Sequence, residues 1–267
     1  MGEIAPQPDL THGLAIVGPG LIGRSIELAA KRRWPDLKVR TIDKGEPLSG
    51  IGDALVVVLA APVDGILDAI PRLPGIIQPH SLVLDTGSTK RAILTAAADA
   101  RISQFVGGHP MAGGTSIADA RADLFDGRPW FLVNPDAADA VGRAAAFVEA
   151  LGAKPVILSD HGEEHDRIMA AVSHLPQVTA TTLMAVVSRA VGSGGLQWAG
   201  NGLRDTTRLA ASPAGVWESI LASNSGELKP LLKTLASELG QLADHLDDRE
   251  AVRKLFDEAV RAKSSCL

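Results

Sequence analysis

The chain has 267 residues, 46% hydrophobic and 21% charged, with a net charge of −5; this is ordinary globular composition, long enough for a core that needs no staples. The acidic balance and the scattered Lys and Arg residues argue against a nucleic-acid partner, and the single cysteine, Cys266, excludes an intrachain disulfide and fits a reducing, cytoplasmic setting. Tyrosine is absent, so a Tyr general acid is excluded and proton handling falls to His, Asp, Glu, Lys or the one thiol.

Residues 1–12 carry neither a basic start nor an apolar run, so no secretory signal is expected. Short β-branched runs then alternate with amphipathic stretches. Strands are expected over 13–17, 38–42, 55–60, 82–85, 105–107, 130–133 and 156–158. Helices are expected over 20–33, 63–70, from 89, and over 137–151. The run LVVVLA (55–60) is apolar on both faces, as a parallel strand covered by helices must be. The longest clean apolar run, 54–61, is far below the ~20 residues of a membrane span, so no membrane partner is expected. This alternation predicts an α/β domain with right-handed crossovers and a mostly parallel sheet, of Rossmann type.

After residue 159 strand-like runs become rare. Helical patterns fill 163–189, a segment around 204–210, and 216–224, 227–246 and 249–262. The expected domains are therefore 1–158, dinucleotide-binding, and 159–267, all-helical. Pro176 in SHLPQ should kink the first long helix. GSGG at 192–195 reads as a break between helices. The apolar stripes of this half suit burial within it or between subunits.

Gly18-Pro19-Gly20-Leu21-Ile22-Gly23 is a G-x-G-x-x-G run that follows a strand and opens a helix. The glycines permit a tight turn, close approach of a pyrophosphate and close helix–strand packing, while the helix N-terminus offers free N–H groups. Asp43 ends VRTID, where a carboxylate accepts ribose hydroxyls and repels a 2′-phosphate. That favours NAD over NADP, although Lys44 follows directly. Ala60 and Pro62, at the end of the third strand, complete the candidate nucleotide set. FAD is disfavoured because no second nucleotide motif is present.

FVGGHPMAG places His109 between glycines and a proline. It is expected on a rigid loop at the carboxyl end of the fifth strand, the ligand-binding end of such sheets, with an imidazole able to take a proton near neutral pH. LDTGSTK also ends a strand; Ser88 can cap the following helix, point into the same cleft, or both. In GLRDTTRLA, Arg204 and Arg208 are four apart and would share a face if helical. Guanidinium forks suit carboxylates, but a solvated basic face has the same pattern. HGEEH (161–165) resembles a zinc-protease helix yet lacks the glutamate directly after the first histidine, so no metal is expected; Asp160 and Glu163 instead suit a capping box. Met169 and Met184 lie on helical apolar stripes and read as core, and Trp198 and Trp217 as core or interface.

Taken in order, GPGLIG, DTGSTK, GGHPMAG, SHLP, GLRDTTRLA and the trailing Pro213, Trp217 and Asn224 resemble the prephenate/arogenate dehydrogenase family over residues 18–224. The resemblance implies a Rossmann domain, a helical dimerisation domain and a substrate between them, in a homodimer. It implies that His109 is the catalytic histidine, that Ser88 orients the site and that Arg208 grips the ring carboxylate. Arg204 stands where the family tolerates another basic residue, and Trp217 where it places a tryptophan near the substrate. Thr115 and Gln177 depart from common family residues at positions that plausibly face the substrate side chain, so the choice between prephenate and arogenate stays open. The implied reaction is NAD-dependent oxidative decarboxylation on the route to tyrosine, with no room in the chain for a fused mutase or regulatory domain. Two rivals remain. A β-hydroxyacid dehydrogenase would need a catalytic Lys with an Asn four residues on, which neither Lys229 nor Lys233 has. A non-catalytic NAD sensor would not need His109, Ser88 and Arg208 together.

Overall fold

The computed structural model describes residues 10–114 and 116–264. The short apolar runs become strands because alternate side chains find a helix layer on each face. β1 (Leu14–Val17), α1 (Leu21–Arg33), β2 (Val39–Ile42), β3 (Val56–Leu59), α2 (Val63–Ala69), β4 (Leu82–Asp85), α3 (Arg91–Asp99), β5 (Phe105–Pro110), β6 (Pro129–Val133), α4 (Ala138–Ala150) and β7 (Lys154–Leu158) build the first half. They form a seven-stranded sheet of order β2-β1-β3-β4-β5-β6-β7. All pairs are parallel except β5 with β6. Leu14, Ile16, Val56, Val58 and Leu84 pack on one face with Ile26 of α1 and Phe147 of α4. Ala15, Val57, Leu59 and Val83 pack on the other with Ile66 of α2 and Ile93 of α3.

The chain leaves β1 toward β2 on one side and returns to β3 on the other. The crevice at the carboxyl ends of β1 and β3 is the topological switch point where such sheets take ligands.

The antiparallel β6 changes the setting of His109. β4 pairs with β5 only through Phe105 and Val106, but β6 carries the ladder on through Gly107–Val133, Gly108–Leu132, His109–Phe131 and Pro110–Trp130. His109 therefore sits in a strand, not on the expected loop. A single neighbouring strand supplies the hydrogen-bonded frame that the sequence did not suggest.

The second half is helical: α5 (Glu163–Met169), α6 (Leu175–Leu196), α7 (Asn201–Thr206), α8 (Ala214–Ser223), α9 (Ser225–Asp244) and α10 (Arg249–Ser264). The expected single helix over 163–189 is divided by a π turn at Ala170–His174. Pro176 cannot donate to the carbonyl of Val172, and the turn before it widens. The expected break between helices at 192–195 falls at Gly192, whose non-helical φ 61° and ψ −175° kink the run that ends at Leu196. Around Asp160, the carboxylate accepts from the backbone N–H groups of Gly162 and Glu164, and Glu163 accepts from that of His161, a close variant of the expected capping box. Among the described residues, one helical run, 163–196, is long and apolar enough to cross a membrane by length and composition. Ser, Thr, His and Gln interleave its apolar residues, so it contains no long unbroken apolar run.

Two contacts lock the sheet to the helices at the start of α3. Asp166 of α5 accepts hydrogen bonds from the backbone N–H groups of Lys90 (2.7 Å) and Arg91 (3.0 Å), capping α3 from outside its own segment. Of the two roles open to Ser88, the cap is not the one it fills: the helix starts at Arg91 and no local side chain caps it. Gly162, at φ 98°, allows the approach, because a Cβ there would lie 2.9 Å from the Arg91 nitrogen.

Beneath this junction, the Lys90 ammonium bonds the Asp85 carboxylate, and both are fully buried. Lys90 also donates to the Gly108 carbonyl at 2.7 Å, while Asp85 accepts from the N–H groups of Gly87 (2.7 Å) and Gly108 (3.0 Å). Burial pushes Asp85 up and Lys90 down, and each partner's charge opposes the other's shift. Removing one partner strands a buried charge. Lys90→Met is expected to cost about 3–5 kcal/mol in urea unfolding, and adding Asp85→Asn to recover part of that loss; an unchanged midpoint in the single variant would refute the arrangement.

Candidate active site

Gly18 has φ 96°, and a Cβ there would lie 2.8 Å from the Ala60 carbonyl oxygen. A Cβ at Gly23 would lie 2.2 Å from the Gly18 oxygen. The first and third glycines are thus required by the β1–α1 turn itself. Gly20 differs: a Cβ there meets nothing within 4 Å, and as N-cap of α1 it supplies no side-chain acceptor. The first turn of α1 is left with free N–H groups facing open space, which suits a pyrophosphate. Leu21 and Ile22 pack against the core beside it, as does Ala60. Pro62 is the N-cap of α2.

Asp43 follows β2 and is exposed. Its carboxylate accepts from the Lys44 N–H at 2.6 Å, and its own N–H donates to Glu46 at 2.7 Å. Two carboxylates, Asp43 and Glu46, therefore stand together on the turn after β2, where the sequence pattern pointed to Asp43 alone.

A cleft of about 730 Å³ adjoins this cradle. Leu21, Ser88, His109, Arg208 and Trp217 line it, together with the loop after β5. Ser88 is half-buried and its hydroxyl makes no hydrogen bond among the described residues. Arg208 is exposed and has no ion-pair partner among them. Trp217 meets His174 edge-on, with ring centroids 5.9 Å apart.

The expectation that Arg204 and Arg208 share a helical face is corrected. α7 ends at Thr206, Thr207 leaves helical geometry (φ −101°, ψ 10°), and Arg208 opens a separate 3₁₀ turn. Arg208 reaches the cleft; Arg204 is exposed and is not among its lining residues. Gln177 is buried and also outside the lining. Its amide donates to the Leu209 carbonyl at 2.8 Å, which ties α6 to the turn carrying Arg208. Thr115 lies outside the described residues.

Behind His109 lies a set of groups that sequence reasoning missed. His109 Nδ1 is 2.9 Å from His165 Nε2, and His165 Nδ1 is 2.8 Å from the Asp166 carboxylate. His174 Nδ1 is 3.2 Å from the Asn224 amide nitrogen, which also donates to the Asp166 carbonyl. Burial, then the neighbouring His165, Lys90 and His174, hold His109 well below the ordinary histidine value of 6.5. Burial also lowers His165, against the opposing bond to Asp166. Burial alone would raise Asp166, but the His165 bond and the Arg91 and Lys90 N–H groups outweigh it and hold the carboxyl low. His174 and Asn224 belong to the SHLP and trailing motifs of the sequence, whereas His165 and Asp166 lie in HGEEHD, whose spacing resembles a zinc site. The two histidines of that motif part company: His161 is exposed with Asp136 at 3.7 Å, and His165 is buried.

The family model for the prephenate dehydrogenase nucleotide-binding domain matches residues 19–158, and that for the prephenate dehydrogenase dimerization domain matches residues 161–258. The chain belongs to the prephenate dehydrogenase family. It is 33% identical over 252 residues to a probable prephenate dehydrogenase of Streptomyces niveus, covering 85% of this chain and 68% of that one. It is 28% identical over 279 residues to a cyclohexadienyl dehydrogenase of Zymomonas mobilis, covering 94% of each. Its fold is similar to that of a prephenate dehydrogenase from A. aeolicus solved with hydroxyphenyl propionate and NAD+, with a TM-score of 0.84, 21% identity, and 99% and 98% of the two chains covered. As a member of this family the chain is an NAD-dependent dehydrogenase.

The buried histidines make stability depend on pH. Burial lowers His174 from 6.5 to about 4, so the folded state holds it neutral while the unfolded chain takes up a proton below 6.5. Its contribution is fully present above pH 6.5 and is lost as pH falls toward about 4; it amounts to about 3 kcal/mol at most. The melting temperature of His174→Gln is expected to fall less steeply across that window than the wild type's. Parallel curves would show that His174 does not carry the effect.

Proposed function

We propose that this enzyme oxidatively decarboxylates prephenate, arogenate or both, giving 4-hydroxyphenylpyruvate or tyrosine in tyrosine biosynthesis. The observation that carries the reading is the pairing, in one cleft, of a histidine held neutral and an arginine without an ion-pair partner among the described residues. The cleft adjoins a nucleotide cradle whose open Gly20 and exposed Asp43 suit NAD.

NAD, when bound, supplies the hydride acceptor. His109 takes the proton of the C4 hydroxyl as the C4 hydride departs and the carbonyl forms. The C1 carboxylate then leaves as carbon dioxide, and the electrons of that bond complete the aromatic ring. Arg208 holds the ring carboxylate in its fork and fixes the ring against His109. Ser88 offers its free hydroxyl beside the imidazole. Gln177 shapes the site by holding the turn that carries Arg208, not by touching the side chain that distinguishes the two acids.

The chain divides functionally at residues 1–158 and 159–267, and the second half forms a homodimer. Support for this comes from the apolar surface that α6 and the last helices expose, with Val186, Val191, Trp198, Phe256 and Val260 all about half exposed or more, and from the match to a dimerization domain. A second copy covering that surface also accounts for the apolar character of the 163–196 run without a membrane. A cytoplasmic enzyme fits the single cysteine.

Purified protein should form NADH with at least one of the two acids, and more readily with NAD than with NADP. His109→Asn is expected to lower kcat by ~10²–10⁴-fold with NAD binding retained. The acid limb of the wild-type rate should lie below pH 6.5, since the base is lost only as pH falls through its depressed value. Arg208→Lys keeps the charge but loses the fork, so KM should rise more than kcat falls. No turnover of either acid would overturn the assignment.

A further inference from the structure

The site contains a directional chain of three groups that the reaction above does not yet use. Asp166 accepts the Lys90 N–H and the His165 Nδ1 contact on one oxygen, and the Arg91 N–H on the other. With backbone donors on both oxygens the carboxyl is ionised and has no proton to give. The proton at the 2.8 Å contact therefore belongs to His165 Nδ1. His165 is fully buried, and burial outweighs the opposing Asp166 charge and holds the ring below its ordinary value, so it is neutral near pH 7. With Nδ1 protonated, its Nε2 carries the lone pair. The 2.9 Å contact to His109 Nδ1 must then be a bond donated by His109. That leaves the second nitrogen of His109, Nε2, with the lone pair.

We infer that His165 and Asp166 are positioning residues, which fix His109 as the Nδ1–H tautomer and leave its Nε2 as the proton acceptor on the cleft side. The inference rests on the reading of His109 as the base. The other charged and titratable groups around the chain are accounted for. Lys90 is bound to Asp85 and the Gly108 carbonyl, and His174 faces the Asn224 amide.

The same chain acts after proton transfer. When Nε2 takes the substrate hydroxyl proton, the imidazolium formed donates more strongly to His165 Nε2, and the Asp166 charge lies one ring beyond. The arrangement corresponds to the carboxylate–imidazole pair of serine hydrolases with a second imidazole inserted. No bond other than the transferred proton changes.

The test reads the tautomer directly, by nitrogen-15 NMR of histidine-labelled protein without cofactor or substrate, with His109→Asn and His165→Gln assigning the signals. Protonated Nδ1 and unprotonated Nε2 are expected in both rings. Asp166→Asn removes the charge behind His165 while its one carboxamide oxygen can still accept the Lys90 and His165 donors, so the tautomers should hold and kcat should fall at least tenfold with NAD affinity and KM unchanged. Because Asp166 also caps α3, that variant can lose its fold; His165→Gln and His165→Leu leave the cap untouched. The glutamine oxygen can still accept the His109 Nδ1–H, so His165→Gln should retain at least tenfold more kcat than His165→Leu. A wild-type His109 protonated on Nε2, or equal kcat in the two His165 variants, would overturn the inference. Since the tautomer is read without substrate, it decides the matter even where the wild type turns over neither acid, a result that would count against the proposed reaction alone.

Discussion

The buried bond between Asp85 and Lys90 organises the centre of this protein. One ion pair, fully removed from solvent, reaches the end of β4, the start of α3 and the Gly108 backbone of β5. Those are the three segments that carry Ser88, the cap taken by Asp166, and His109. A buried pair is a poor source of stability compared with apolar packing, because desolvation offsets most of its attraction. Its contribution here is geometric: two buried charges tied to the Gly87 and Gly108 backbone as well as to each other admit few alternative arrangements of the chain around them.

The second half of the chain is placed by that frame. α5 delivers His165 and Asp166 to the start of α3. Thr89 meets Ser223 at 2.9 Å and Arg91 meets Glu227 at 2.9 Å on the flanks of the same junction. The π turn at Ala170–His174 adds a residue to the helix just where His174 must face Asn224 and Trp217. The cleft is thus walled by the end of β5 on one side and, on the other, by Ser173 of that π turn and the segment from Arg208 to Trp217.

Local chemistry made much of this legible in the sequence. The glycine run, the acid after the second strand and the buried strand 56–59 each depend on neighbours a few residues away, and each lies where the pattern indicated. His109, Ser88, Arg208 and Trp217 do line one cleft. What escaped depended on distant partners. His109 was expected on a loop because its flanking residues break regular structure, yet an antiparallel strand holds it. Arg204 and Arg208 satisfied a helical spacing, but the helix stops between them. Lys90 was part of a quoted motif without a role, since nothing local announces that a lysine will be buried. Asp166 caps a helix 76 residues earlier in the chain, a relation that no window of sequence contains.

The cap that Asp166 places on α3 also bears on how such an enzyme can diversify. His109 and the Asp166 carboxylate behind it, linked through His165, come from opposite halves of the chain. Recombination that exchanged the helical half for one lacking a His-Asp pair at this spot would keep the nucleotide cradle and lose both the α3 cap and the orientation of the base. Substrate preference can drift through the loops and the turn around Arg208. The seam between the halves must be inherited as one piece.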